Sequence, residues 1–164
     1  MATPGYFIVE CNPDQLLVEV LFNARKREIN HAGDRGRVLK ALRRREGAAL
    51  GVVDEDPDSG TSLEILLQRE RFQEINEEDD EYLGIRRFKY GEKMILALQP
   101  NLEGWTIRMA RACGIRLKDY GLPEDPDELH SRINNNLESY RRLLRDLVEC
   151  KRLKGLKRII SGGM

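Results

Sequence analysis

The sequence predicts an α/β protein: a mainly parallel sheet of four to five strands flanked by helices, with a helical C-terminal extension. Three observations lead there. The apolar runs Tyr6–Val9 and Ala48–Val53 are short and continuous, as strands buried on both faces are. Between them lie segments with helical spacing of apolar residues, so strand, helix, strand, helix, strand follow at βαβαβ intervals. Beyond Leu117 no strand-like run recurs, and leucines return every three or four residues.

The first strand spans Tyr6 to Cys11. Asn12 can cap the following helix and Pro13 suits its first position; Leu16, Leu17, Val20 and Leu21 form its inner stripe. A second strand, about Glu28 to Ala32, leads to Gly33. The next helix turns Val38, Leu39 and Leu42 inward and Arg35, Arg37, Arg43, Arg44 and Arg45 outward, ending at Gly47 as a C-terminal glycine would. Leu63 to Ile75 has helical spacing, and Asn76 to Glu81 reads as an exposed acidic turn. Ile85–Tyr90 and Met94–Leu98 form either a hairpin or two separate strands. Asn101 caps a helix carrying Leu102, Trp105, Met109 and Ala112 on one face, stopped by Gly114. Leu129, Ile133, Leu137, Tyr140, Leu144 and Leu147 define an amphipathic helix, and Cys150 to Ile160 a short basic one. The division expected is an α/β domain over 1–114 with the helical extension, 115–164, packed on it.

At 164 residues, 40% hydrophobic and 34% charged, the chain can bury a substantial core. Its net charge of zero hides an uneven distribution. Arg25–Glu46 holds nine basic and three acidic residues, Asp54–Glu92 thirteen acidic and five basic, and Arg141–Arg158 eight basic and two acidic. Two basic blocks thus flank an acidic centre, as a polyanionic substrate would require and as solvated helix faces would also show. Cys11, Cys113 and Cys150 are an odd, widely spaced set, which indicates neither a disulfide framework nor a zinc site. No signal-peptide pattern opens the chain and no run approaches the ~20 apolar residues of a membrane helix. A soluble, reducing, cytoplasmic setting with no membrane partner is expected.

The chemistry lies where the strands end. In an open parallel sheet, the carboxyl ends of the strands face the ligand crevice. Glu10 ends the first apolar strand, and Asp54-Glu55-Asp56-Pro57-Asp58 follows the third. Carboxylates gathered there would repel one another until a hard cation neutralised them, which suits magnesium or manganese. Asp54 and Asp56 could share one ion, with Asp58 as an outer ligand. The same acidic stretch could also be a solvated turn fixed by Pro57. Glu103 would stand at the same edge if the strand before it runs parallel to the others; as an acidic residue in a first helical turn it also suits the helix dipole. Arg35, Arg37, Lys40 and Arg43 could meet a nucleic-acid backbone.

Glu10 and the Asp54-x-Asp56 pair, one βαβαβ apart, resemble the Toprim domain of topoisomerases, primases and OLD-family nucleases. His31-Ala32-Gly33 is similar to that family's second-strand turn. The resemblance covers about Tyr6 to Gly60. The family usually places glycine after the glutamate, where Cys11 stands here. The resemblance implies a Rossmann-like, Toprim-like sheet, a Mg2+ (or Mn2+) cofactor, Glu10 as general acid or base, and phosphotransfer on nucleic acid, most simply as a nuclease. Topoisomerase or primase activity would need further domains. Two alternatives remain: a non-catalytic Toprim-like module that binds nucleic acid or protein, and an interaction protein that forms a homodimer through its C-terminal helix.

Overall fold

In a computed structural model of the chain, which describes residues 4–57, 60–75 and 77–163, one six-stranded sheet runs in the order β2-β1-β3-β6-β5-β4. The strands are β1 (Phe7–Val9), β2 (Ile29–His31), β3 (Ala49–Asp54), β4 (Gln73–Ile75), β5 (Ile85–Tyr90) and β6 (Lys93–Leu98). β2, β1, β3 and β6 are parallel; β5 returns against β6 as a hairpin, and β4 adds antiparallel at the edge. The helices are α1 (Asn12–Phe22), α2 (Arg35–Arg44), α3 (Leu63–Arg69), α4 (Asp79–Tyr82), α5 (Leu102–Ala112), α6 (Pro126–Arg132), α7 (Leu137–Leu147) and α8 (Lys151–Gly163).

Alternation along each central strand divides the core in two, because successive side chains leave opposite faces of a sheet. Phe7, Val9, Leu50, Val52, Met94, Leu96 and Leu98 pack with α1, α5 and the C-terminal helices. Ile8, Ala49, Val53, Ile95 and Ala97 pack with α2 and α3. Gly51 marks the closest approach of α2 to the sheet: a Cβ there would sit 2.5 Å from Leu42 Cδ1 and 2.9 Å from Val38 Cγ1. Gly51→Ala is therefore expected to destabilise the fold by about 1–3 kcal/mol through overpacking; urea denaturation of the variant checks this, and unchanged stability would contradict the packing described.

Several expectations are corrected. The helical spacing from Leu63 ends at Arg69; Arg71 adopts a left-handed φ of 64°, and Gln73–Ile75 becomes strand β4, where Glu74 meets Arg86 of β5. The acidic turn is only partly exposed. Asp80, in α4, is buried against Arg87, 3.0 Å away, because an inward-pointing arginine on β5 needs an anion. The C-terminal stripe is not one helix. A 3-10 turn over Ile133–Asn135 separates α6 from α7, and Asn136 donates its side-chain amide to the Arg132 carbonyl, as asparagine does where it competes with the helical ladder. That stripe is buried inside the chain: Leu129, Ile133, Tyr140, Leu144 and Leu147 belong to the larger core, and the Tyr140 hydroxyl lies 2.9 Å from that of Thr106 on α5. The face from which a homodimer was expected is thus already covered.

Cys113 and Cys150 form a disulfide between the end of α5 and the residue before α8. Sequence spacing did not indicate it, because pairing depends on Cα separation in space, here 5.9 Å, and not along the chain. The unpaired set of cysteines on which a reducing setting rested is therefore not present. Among the described residues no helix is long and apolar enough to cross a membrane.

Candidate metal and phosphate site

Parallel register brings the ends of β1, β3 and β6 to one edge of the sheet. Phe7 pairs with Leu50, and Leu50 with Met94, so Glu10, Asp54 and the Asn101–Glu103 turn emerge together. Backbone bonds then join the loops: Glu55 N–H donates to the Leu98 carbonyl at 3.0 Å and Asp56 N–H to that of Pro100 at 2.7 Å. Glu10 Oε2 accepts from the Asp54 N–H at 2.9 Å, and Asp54 Oδ1 accepts from the Leu102 N–H at 2.9 Å. Each candidate carboxylate is thereby tied to the next strand's loop. Cys11, where the family places glycine, has φ −152° and ψ −178°, extended backbone open to any residue.

A cavity of about 330 Å³ opens at this edge, lined by Glu10, Asp54 and Asp56 and, across from them in sequence, by Asp34, Arg35 and Thr61. Arg35 is 8% exposed. Its guanidinium donates to the carbonyls of Glu55, of Asp56 at 3.1 Å and of Thr61 at 2.6 Å. It thus gathers the acidic loop around one cation. A second arginine braces that loop from the sheet: Arg86 reaches Glu55 at 3.4 Å, Glu64 at 2.7 Å and Glu74 at 2.9 Å.

Of the residues assigned to nucleic acid, Arg35 is engaged inside the cavity wall. Arg43 stacks its guanidinium 3.9 Å over the Tyr90 ring. Arg37 is exposed and 3.5 Å from Asp34, and Lys40 is exposed. Asp58 lies outside the described residues. His31, on the exposed edge strand, hydrogen-bonds to Gln15.

Two participants carried little signal in the sequence. Asp14, in the first turn of α1, is 1% exposed, and its Oδ1 has no hydrogen-bond partner; its spacing of four from Glu10 was the available clue. His130 of α6 places Nδ1 2.9 Å from Glu103 Oε1; nothing local marks a contact that spans 27 residues.

The electrostatics follow from crowding. Burial raises the Asp54 carboxyl to about 9, reinforced by the charges of Asp14, Glu10 and Glu103. Burial and then the Glu10 charge raise Asp14 to about 7. Glu10 is raised by burial, against the opposing pull of the Asp54 N–H and Arg35. Like charges brought together in low dielectric hold protons until a cation replaces them. The donor set fits a hard divalent cation in kind, and Asp14 Oδ1 is a buried oxygen awaiting a partner. Among the described residues, however, no three such side chains are arranged to hold a metal ion; Glu10, Asp54 and Glu103 each spend an oxygen on a protein donor.

Fold and site together define an α/β protein with a carboxylate crevice at the C-terminal edge of its parallel strands. Comparison with models of known families, with curated proteins and with solved structures gave no match.

Proposed function

We propose that this chain is a small Toprim-like phosphotransfer enzyme, dependent on Mg2+ or Mn2+, that cleaves phosphodiester bonds as a nuclease. The observation that carries the reading is the convergence of Glu10, Asp14, Asp54 and Glu103 at one strand edge, with protons held at Asp14 and Asp54. Asp54, Asp56 and Glu103 would hold the ion, and Asp14 would join or neutralise it. When bound, such an ion orients a phosphodiester and stabilises charge on its oxygens.

The residues themselves supply the remainder. Glu10 lines the cavity with a raised affinity for its proton, which suits a group that takes a proton from water or gives one to a leaving oxygen. Arg35 keeps the Asp54–Asp56 loop in place and sets positive charge at the cavity wall. Lys40 and Arg37, on the helix that begins at the cavity, are exposed to meet backbone phosphates at a distance.

The test is cleavage of single- and double-stranded DNA and RNA with Mg2+ or Mn2+, by the native chain and by Glu10→Gln. Glutamine keeps an oxygen to accept the Asp54 N–H, so folding should persist while turnover falls by about 10²- to 10⁴-fold. Cleavage unaffected by Glu10→Gln would remove Glu10 from the chemistry. One observation favours a second reading, a nucleic-acid-binding module without turnover: the carboxylates are already hydrogen-bonded to protein donors and do not enclose a cation. That reading expects salt-dependent affinity for nucleic acid and no metal-dependent products.

A further inference from the structure

We infer that His130 is a positioning residue of the acidic site, contributed by the C-terminal helices to orient Glu103 for a divalent cation. The inference rests on the metal-dependent reading above and extends it to a part of the chain that the Toprim resemblance does not reach.

The side chain of His130 is 78% exposed, yet its Nδ1 meets a buried carboxylate, Glu103 Oε1, at 2.9 Å. An ionised carboxylate only accepts, so Nδ1 carries the hydrogen and donates. This contact is not what docks α6. Leu129 and Ile133, on either side, are fully buried in the larger core and hold the segment without it. The far end of the bond is the site itself. Glu103 follows Leu102, whose N–H binds Asp54 Oδ1, and its charge acts on both Asp14 and Asp54. Asp14, 1% exposed with Oδ1 unpartnered, independently marks this buried side of the cluster as short of a partner. A donor on one oxygen of Glu103 fixes the carboxyl plane and leaves its remaining lone pairs for an ion, the role that outer hydrogen bonds play around ligating carboxylates.

The experiment is calorimetric titration with Mn2+ alone, on the native chain and on Asp54→Asn, His130→Ala and His130→Asn, with thermal unfolding of each. Asparagine places its amide nitrogen on Cγ, where Nδ1 sits in histidine, and so preserves the donor. The expected result is that His130→Ala weakens Mn2+ binding by about 10- to 100-fold, that His130→Asn restores most of it, and that neither moves the unfolding temperature of the metal-free protein. The inference is overturned if His130→Ala binds Mn2+ as the native chain does while Asp54→Asn does not; the metal site would then stand without His130. It is also overturned if alanine and asparagine weaken binding equally, or if the loss tracks a fall in unfolding temperature. A native chain that binds no Mn2+ at all would remove the metal-dependent reading and this inference together.

Discussion

Asp54→Asn is expected to abolish binding of Mg2+ and Mn2+, and with it all metal-dependent cleavage, while making the metal-free protein more stable. Both effects come from one side chain. Asp54 ends the central strand β3, and every candidate ligand is arranged around it: Glu10 on its backbone N–H, Leu102 on its Oδ1, Asp56 two residues on. Asparagine retains an oxygen for the Leu102 N–H and leaves the backbone bond to Glu10 unchanged, so the local geometry survives. What disappears is a charge held near Asp14, Glu10 and Glu103 in a largely buried position. A neutral isostere cannot supply the anionic oxygen that a hard cation requires, and it removes a repulsion that the fold otherwise tolerates. Substitutions that relieve such functional strain commonly add about 0.5–2 kcal/mol, which for a chain of this size raises the unfolding temperature by about 2–4 °C per kcal/mol. Calorimetric titration and thermal unfolding, both in chelator-treated buffer, measure the two effects. Loss of metal binding together with a lower unfolding temperature would mean that the carboxylate is structural, and the proposed site would lose its centre.

The parallel sheet could be read from Phe7–Val9 and Ala49–Val53 because strands buried on both faces leave no polar alternation to confuse with anything else. The edge to which Glu10 and Asp54 belong followed from strand direction alone. Glu103 hung on one unknown, the orientation of β6, and the parallel pairing of Leu50 with Met94 places it at the same edge. Elements decided by long-range partners were not legible. Gln73–Ile75 continues a helical pattern, and becomes strand because Arg71 turns left-handed and β5 offers an edge carrying Arg86. Asp80 looked solvated within a run of acids, and is buried because Arg87 points inward four strand residues from the hairpin turn. The arginines of α2 could be counted but not apportioned: Arg35 is drawn in by the carbonyls of the acidic loop, Arg43 by the face of Tyr90. The Cys113–Cys150 bond and the reach of His130 to Glu103 depend on how the C-terminal helices dock, which no local spacing encodes.

The metal-free protein is expected to lose stability steadily as pH rises from about 4 to about 9, and divalent cation is expected to reverse the loss. Asp14 and Asp54 have ordinary values of 3.8 and stand near 7 and 9 in the folded chain. Between those limits the folded state holds protons that the unfolded chain has already released. Their contribution is therefore fully present below about pH 4 and is lost as pH climbs through the folded values, at about 1.4 kcal/mol per pH unit for each proton retained. Glu64 and Glu74 act in the opposite sense on the acid side: hydrogen bonds from Arg86 hold both below their ordinary 4.5, so their contribution is present above that value and lost as pH falls beneath it. Metal competes with the retained protons because it takes only ionised oxygens, and its effect grows where theirs has gone. At a free metal concentration about 100-fold above Kd it adds about 2.7 kcal/mol. Thermal unfolding across the window, with chelator and with Mg2+, should give a falling curve and a raised, flatter one, and Asp54→Asn should flatten the first and show no response to metal. A profile that is flat without metal would mean that Asp14 and Asp54 share no proton-holding cluster, and the electrostatic basis for a cation at this edge would be gone.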